Sequence, residues 1–218
     1  MKKLLLLAIP LLFLPYNSII SNYLNKKAGI VAILIGNGGG TGFHFKMPNN
    51  KWIILTNKHV CDDAKVVKVS DGDTIVERKV ITTSPDYDLC AVEPTKEFGL
   101  DNTDEPSNLL PSITAGHGAL SPITTNIGFH SGKVFMPICV EALFFSCSKS
   151  IIIELDAYDL KVIGGHSGSP IMDLRGNLVG VINAGNGLHS FAVPIKHVRE
   201  FLSNLMFSEI NRALCPQI

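Results

Sequence analysis

Apolar residues along this chain fall into short runs, alternating or continuous, separated by turn residues. From residue 30 onward "GIVAILIG" is an unbroken apolar run of strand length, which suits a strand buried on both faces. "GGGTGFHF" turns into a second strand, and "KWIILTNKHV" is a third that carries Asn57 and His59 at its polar end. "AKVVKVS" and "TIVERKVI" flank the turn signal "DGD", and "TTSPDYDLCAVEP" reads as a loop entering another strand. Residues 96–108 are polar, contain Pro106, and predict a crossover between two halves. Beyond it, "SITAGHGAL", "GKVFMPICVEALFF", "SIIIELDA", "NLVGVINAG" and "SFAVPI" again read as short strands. Only "IKHVREFLSNLMFSEI" has helical spacing, with Val198, Phe201, Leu202 and Leu205 recurring on one face. The pattern predicts two small β barrels packed together, followed by a terminal helix.

The first residues break this pattern. Lys2 and Lys3 precede eleven apolar residues at 4–14, a length that fits a signal-peptide core and is short for a membrane span. Pro10 and Pro15 interrupt the run and disfavour a buried helix. Residues 1–24 therefore read as a signal peptide or an uncleaved membrane anchor. The protein is expected to be exported, whether periplasmic, secreted or anchored facing outside the cytoplasm. The chain of 218 residues allows one large domain or two small fused ones, and its 19 basic and 19 acidic residues balance. No nucleic-acid groove or polybasic membrane surface is implied. Five cysteines leave at least one unpaired in a monomer. Cys139 and Cys147 flank "VEALFFS" and are compatible with a disulfide across a hairpin or with buried free thiols. No Cys/His spacing fits a metal site, and neither a metal nor a cofactor is expected.

The stretch "GGHSGSPIMDLRGNLVGV" surrounds Ser167 with Gly164, Gly165 and Gly168. Glycine is costly unless the backbone needs an unusual turn or a close approach. A serine nucleophile needs a base and an oxyanion site. His59 follows "ILTNK" directly, and Asp88 sits in "SPDYDLCAV", with Asp86 two residues earlier competing for the same role. The order His59, Asp88, Ser167 is that of the chymotrypsin-type triad. His44, His117, His130, His189 and His197 fit no comparable pattern and read as structural or surface residues.

At these residues the chain resembles the trypsin-like serine protease superfamily, in particular its bacterial HtrA/Deg-like branch. "GGTGFHF" resembles that branch's Gly-Ser-Gly-Phe opening, "TNKHV" its Thr-Asn-x-His-Val, and "DYDLCAVE" its Asp-Leu-Ala strand. "GGHSGSPI" is similar to its Gly-Asn-Ser-Gly-Gly-Pro and "FAVPI" to its final Phe-Ala-Ile-Pro strand. The resemblance implies an all-β, chymotrypsin-like fold of two packed six-stranded Greek-key barrels with a C-terminal helix. The protease domain would span 28–205, with barrels at about 28–100 and 109–194 and the helix at about 195–210. The chain has no Arg/Lys-Ile-Val-Gly-Gly activation site, and no PDZ domain is expected after the helix.

The resemblance also implies roles. Ser167 would attack a peptide carbonyl, His59 would shuttle the proton, and Asp88 would orient the imidazole. The N–H groups of Gly165 and Ser167 would form the oxyanion hole. The substrate, a peptide or protein, would meet residues 161–164, 183–185 and 190–192, with Gly164, Asn183, Ala184, Gly185 and Ser190 as binding residues. No acidic residue lies among these, so small or medium apolar side chains are expected rather than Lys or Arg. Lys161 either points into the pocket or snorkels to solvent. His166 stands where the family places Asn or Asp. Two readings follow: an active serine endopeptidase, or a catalytically silent protease-like module that captures peptides. An α/β-hydrolase is disfavoured, because that fold places its histidine last and needs alternating helices.

Overall fold

The computed structural model describes residues 29–36, 38–72, 74–118, 122–143 and 146–214, with the backbone alone for 138–143, 146–150 and 212–214. The expected N-terminal segment at 1–24 and Cys215 lie outside the described residues, as do the side chains of Cys139 and Cys147. Among the described residues no helix is long and apolar enough to cross a membrane.

The first unit contains β1 (Ile30–Ile35), β2 (Gly38–Lys46), β3 (Trp52–Thr56), β4 (Val66–Ser70), β5 (Ile75–Thr83) and β6 (Cys90–Val92). These strands close into a barrel in the order β1-β2-β3-β6-β5-β4. A one-turn helix, α1 (Lys58–Cys61), follows β3. The hydrophobic pattern explains which faces are buried. In β4, Val67 and Val69 point inward while Lys68 is exposed. The unbroken apolar strands bury both faces: Ile54 of β3 enters the barrel core with Val31, Ile33 and Val92, while Ile53 and Leu55 enter a second core. That second core adds Ile113, Val181, Val193 and the helix residues Val198, Phe201, Leu202 and Leu205. It is the apolar seam that joins the two units to each other and to the helix.

The second unit contains β7 (Ser112–Gly116), β8 (Thr124–Gly128), β9 (His130–Leu143), β10 (Ser146–Tyr158), β11 (Pro170–Met172), β12 (Leu178–Gly185) and β13 (Ser190–Pro194), followed by α2 (Ile195–Leu214). They form one seven-stranded sheet in the order β8-β7-β11-β12-β13-β10-β9. The two-unit all-β architecture with a terminal helix is as expected, but this second unit is a seven-stranded sheet where six strands in a barrel were expected. The strands without a run of their own in the sequence are β8, "TTNIG", a partly exposed segment without apolar alternation, and the three-residue β11. Only Phe129 separates β8 from β9. The polar crossover is stitched to both units: Leu100 exchanges backbone hydrogen bonds with Lys46 and His44, and Leu178 does so with Asn102 and Asp104.

A disulfide joins Cys61 in α1 to Cys90 in β6, and both residues are fully buried. Cys61 lies two residues after His59, and Cys90 lies two residues after Asp88.

Candidate active site

His59 and Asp88 are brought together by the ends of β3 and β6, which pair directly as Thr56↔Cys90. Asn57 is buried, and its side-chain amide donates to the Asp88 backbone carbonyl at 2.9 Å. The Ser84 hydroxyl accepts from the N–H groups of Asp86 and Tyr87, turning the chain into Asp88. The Asp88 carboxylate then grips His59 twice. One oxygen accepts the His59 backbone N–H at 2.9 Å, and the other lies 2.6 Å from the imidazole Nδ1. The second oxygen also accepts from the Asn183 side-chain amide at 3.0 Å. A carboxylate at Nδ1 favours the tautomer with its proton there, leaving Nε2 with a lone pair to accept one. Asp86 makes no hydrogen bond or ion pair with His59 among the described residues, so Asp88 is the aspartate that meets the imidazole.

Ser167 sits in a tight turn before β11 that the first barrel holds from outside. Thr41 of β2 donates its hydroxyl to the Gly165 carbonyl at 2.8 Å, and its backbone N–H to the Ser167 carbonyl at 2.8 Å. The glycines have separate reasons. Gly165 has φ +96° and Gly168 φ +86°, a region that L side chains avoid. At Gly168 a Cβ would stand 2.1 Å from the Thr41 carbonyl oxygen, so the close passage of the two units also requires glycine. The N–H groups of Gly165 and Ser167 have no hydrogen-bond acceptor among the described residues.

Ser167 Oγ donates to the Asn183 carbonyl at 3.1 Å and makes no hydrogen bond to His59. Asn183 thus touches both ends of the constellation, with its side chain on Asp88 and its carbonyl on Ser167. It lies at a register shift between Ile182 and Ala184, where β12 has passed the end of β11. Ala184 and Gly185 are exposed at the same strand end, and Gly164 is exposed with open space around it. Ser190 differs from these: it is 0% exposed, so its hydroxyl does not face an open cleft. Lys161 is exposed at the surface. Val162 is buried and packs against Gly185, where a Cβ would lie 2.4 Å from its Cγ2. A cavity of about 400 Å³ borders the site, walled by His59, Asp88 and Asn183 together with Tyr87, Leu155 and His197. Tyr87 stacks on His197 at 4.0 Å and donates its hydroxyl to Glu200 at 2.8 Å, which ties the aspartate loop to α2. The Glu200 bond pushes the Tyr87 pKa up to about 12.

His166 is 2% exposed, and its Nε2 lies 2.9 Å from the Thr124 hydroxyl. Burial pushes its pKa below the ordinary histidine value and His117 acts in the same direction, against the opposing hydrogen bond to Ile163. Burial thus favours the neutral ring. His44 is buried in barrel one, bonded to the Gly29 carbonyl and the Thr95 hydroxyl, in a structural role. No cluster of three metal-ligating side chains occurs among the described residues.

Comparisons with known proteins place the chain in a family. Residues 40–181 match the trypsin-like peptidase domain family. The periplasmic serine endoprotease DegP of Escherichia coli is 29% identical over 198 residues, covering 81% of this chain and 40% of that protein. A serine protease HtrA-like of Staphylococcus epidermidis is 26% identical over 184 residues, covering 76% of this chain and 30% of that protein. This chain thus spans well under half the length of these curated relatives. The Rv3671c protease from M. tuberculosis, in its active form, superposes with a TM-score of 0.68 at 18% identity, covering 85% of this chain and 83% of that one. That likeness concerns the fold. With a family match that takes in most of both β units and Ser167, the chain belongs to the trypsin-like peptidase domain family.

Proposed function

We propose that the protein is a serine endopeptidase of the HtrA/trypsin-like type, with His59, Asp88 and Ser167 as its triad. The observation that carries this reading is the two-point grip of Asp88 on His59, beside a serine turn with two unengaged N–H groups. An extended substrate pairs with the exposed end of β12 at residues 183–185, adding a strand to that edge. When a substrate N–H takes the Asn183 carbonyl, the Ser167 hydroxyl loses its acceptor and turns to His59 Nε2. The imidazole removes the proton as Oγ attacks the carbonyl carbon. The oxyanion accepts from the N–H groups of Gly165 and Ser167, each such donor contributing on the order of 10²–10³ in rate. His59 returns the proton to the leaving amine, and the acyl-enzyme is hydrolysed by water in the reverse sense. The packing of Val162 on Gly185 supports small side chains at the cleaved bond. The buried Cys61–Cys90 disulfide supports an oxidising compartment, in line with export directed by residues 1–24.

A second reading, a silent peptide-binding module, is favoured by one observation: Ser167 Oγ bonds to Asn183 rather than to His59. Digestion of an unfolded protein by the full chain and by Ser167→Ala separates the two. The protease reading expects cleavage that Ser167→Ala abolishes. Peptide binding by both chains without cleavage by either would establish the module.

A further inference from the structure

The peptide unit that carries the Gly165 N–H lies inside a turn closed by Ile163 and His166. The His166 backbone N–H donates to the Ile163 carbonyl at 3.2 Å, closing the turn once. The imidazole closes it again, because its Nδ1 lies 3.2 Å from the same carbonyl and 3.4 Å from the Ile163 N–H. The other ring nitrogen reaches out of the turn to the Thr124 hydroxyl of β8 at 2.9 Å. Either neutral tautomer satisfies both contacts, since Thr124 can donate or accept and Ile163 offers an N–H and a carbonyl. Gly118 leaves room for the ring: a Cβ there would stand 2.6 Å from His166 Cε1. The ring is therefore a buried strut between the nucleophile turn and the sheet. Thr41 also fixes the turn, through the Gly165 carbonyl.

We propose that His166 is a positioning residue for the oxyanion site. Its ring, braced on Thr124, keeps the Gly164–Gly165 peptide oriented so that the Gly165 N–H is presented together with the Ser167 N–H. The inference rests on the serine-protease reading and adds to it a residue that touches no substrate. A flip of this one peptide would replace a donor with a carbonyl oxygen at the place where negative charge develops. The strut acts in the transition state and leaves the β12 edge that binds substrate untouched.

The test is steady-state cleavage of a peptide substrate by the full chain, with the rate of fluorophosphonate labelling as a second readout. His166→Ala is expected to lower kcat by roughly 10²-fold, the value of one oxyanion donor, with KM changed less than about threefold. Thr124→Val removes the brace, together with the long bond of the same hydroxyl to the Gly116 carbonyl at 3.4 Å, and is expected to cost about tenfold in kcat, the value of one hydrogen bond. His166→Asn keeps a polar group within reach of Ile163 and is expected to recover most of the loss. The double variant His166→Ala/Thr124→Val should be no slower than His166→Ala, because both act through one strut. Unchanged kcat in Thr124→Val and in folded His166→Ala would overturn the proposal, as would a loss confined to KM. If the native chain neither cleaves nor labels, the protease reading falls and this inference falls with it. If the native chain labels and both variants label equally fast, only this inference falls.

Discussion

The Asp88 carboxylate accepts three hydrogen bonds, from the His59 backbone, the His59 ring and the Asn183 amide. One of these fixes where the His59 segment lies, one favours the tautomer with its proton on Nδ1, and one anchors the carboxylate to β12. Asp88→Asn keeps the size but replaces one acceptor oxygen with a donor, which turns the imidazole to the wrong tautomer. Turnover is expected to fall by roughly 10⁴-fold with the fold intact, as read from kcat and the melting temperature. Loss of turnover under tenfold would mean that Asp88 does not set the imidazole's state. At this scale the candidate residues His59, Asp88 and Ser167 stood out in the sequence because each lies in a short local motif. Their supports did not. The Thr41 hydroxyl reaches Gly165 across 124 residues and the Asn183 amide reaches Asp88 across 95, and only the packing of the two units brings them together. Ser190, one of the expected binding residues, is buried where β13 pairs with Gly185 of β12.

Two elements carry much of the site's geometry. The disulfide ties α1 to β6, so the His59 and Asp88 segments are held both by strand pairing and by a covalent link. Its cysteines are 29 residues apart, and closing a loop of that size stabilises by about 3–4 kcal/mol in the chain-entropy account. Cys61→Ala/Cys90→Ala is expected to lower stability by about that amount in urea unfolding, and equal stability would remove the disulfide from this account. The sequence did not point to this pair, because the two cysteines are 29 residues apart and only closure of the barrel brings α1 against β6. The second element is α2, tied to the sheet by Glu154, which binds Lys133 of β9 at 2.7 Å and Lys196 of α2. The Lys133 bond, then the Lys196 bond, lowers the Glu154 pKa from 4.5 to about 2. Its pairing therefore contributes stability above pH about 4.5 and loses that contribution as the pH falls toward 2. Glu154→Gln should melt at lower temperature than the native chain at pH 6, with the difference shrinking as the pH approaches 2. A constant difference would assign the effect to packing. The helix itself was legible from its 3.6-residue period, whereas β8 was not, because an exposed strand needs no apolar alternation.

At the scale of the molecule, the site exists only where the two units meet. The first barrel supplies His59, Asp88 and the Thr41 clasp, and the second sheet supplies Ser167, Asn183 and the turn that presents the Gly165 N–H. The apolar seam that includes Phe43, Leu55, Val181 and Leu205 holds them in register. Hydrophobic periodicity foretold two β units and a helix because that seam and the interiors of both units demand it. It could not foretell how the nucleophile turn nests against β2. The measurement that tests the central claim most directly is mass spectrometry of the full chain after fluorophosphonate treatment, beside Ser167→Ala. The account predicts one adduct, on Ser167, absent in Ser167→Ala and formed far more slowly in His59→Ala. A folded native chain without an adduct, or with an adduct elsewhere, would contradict it.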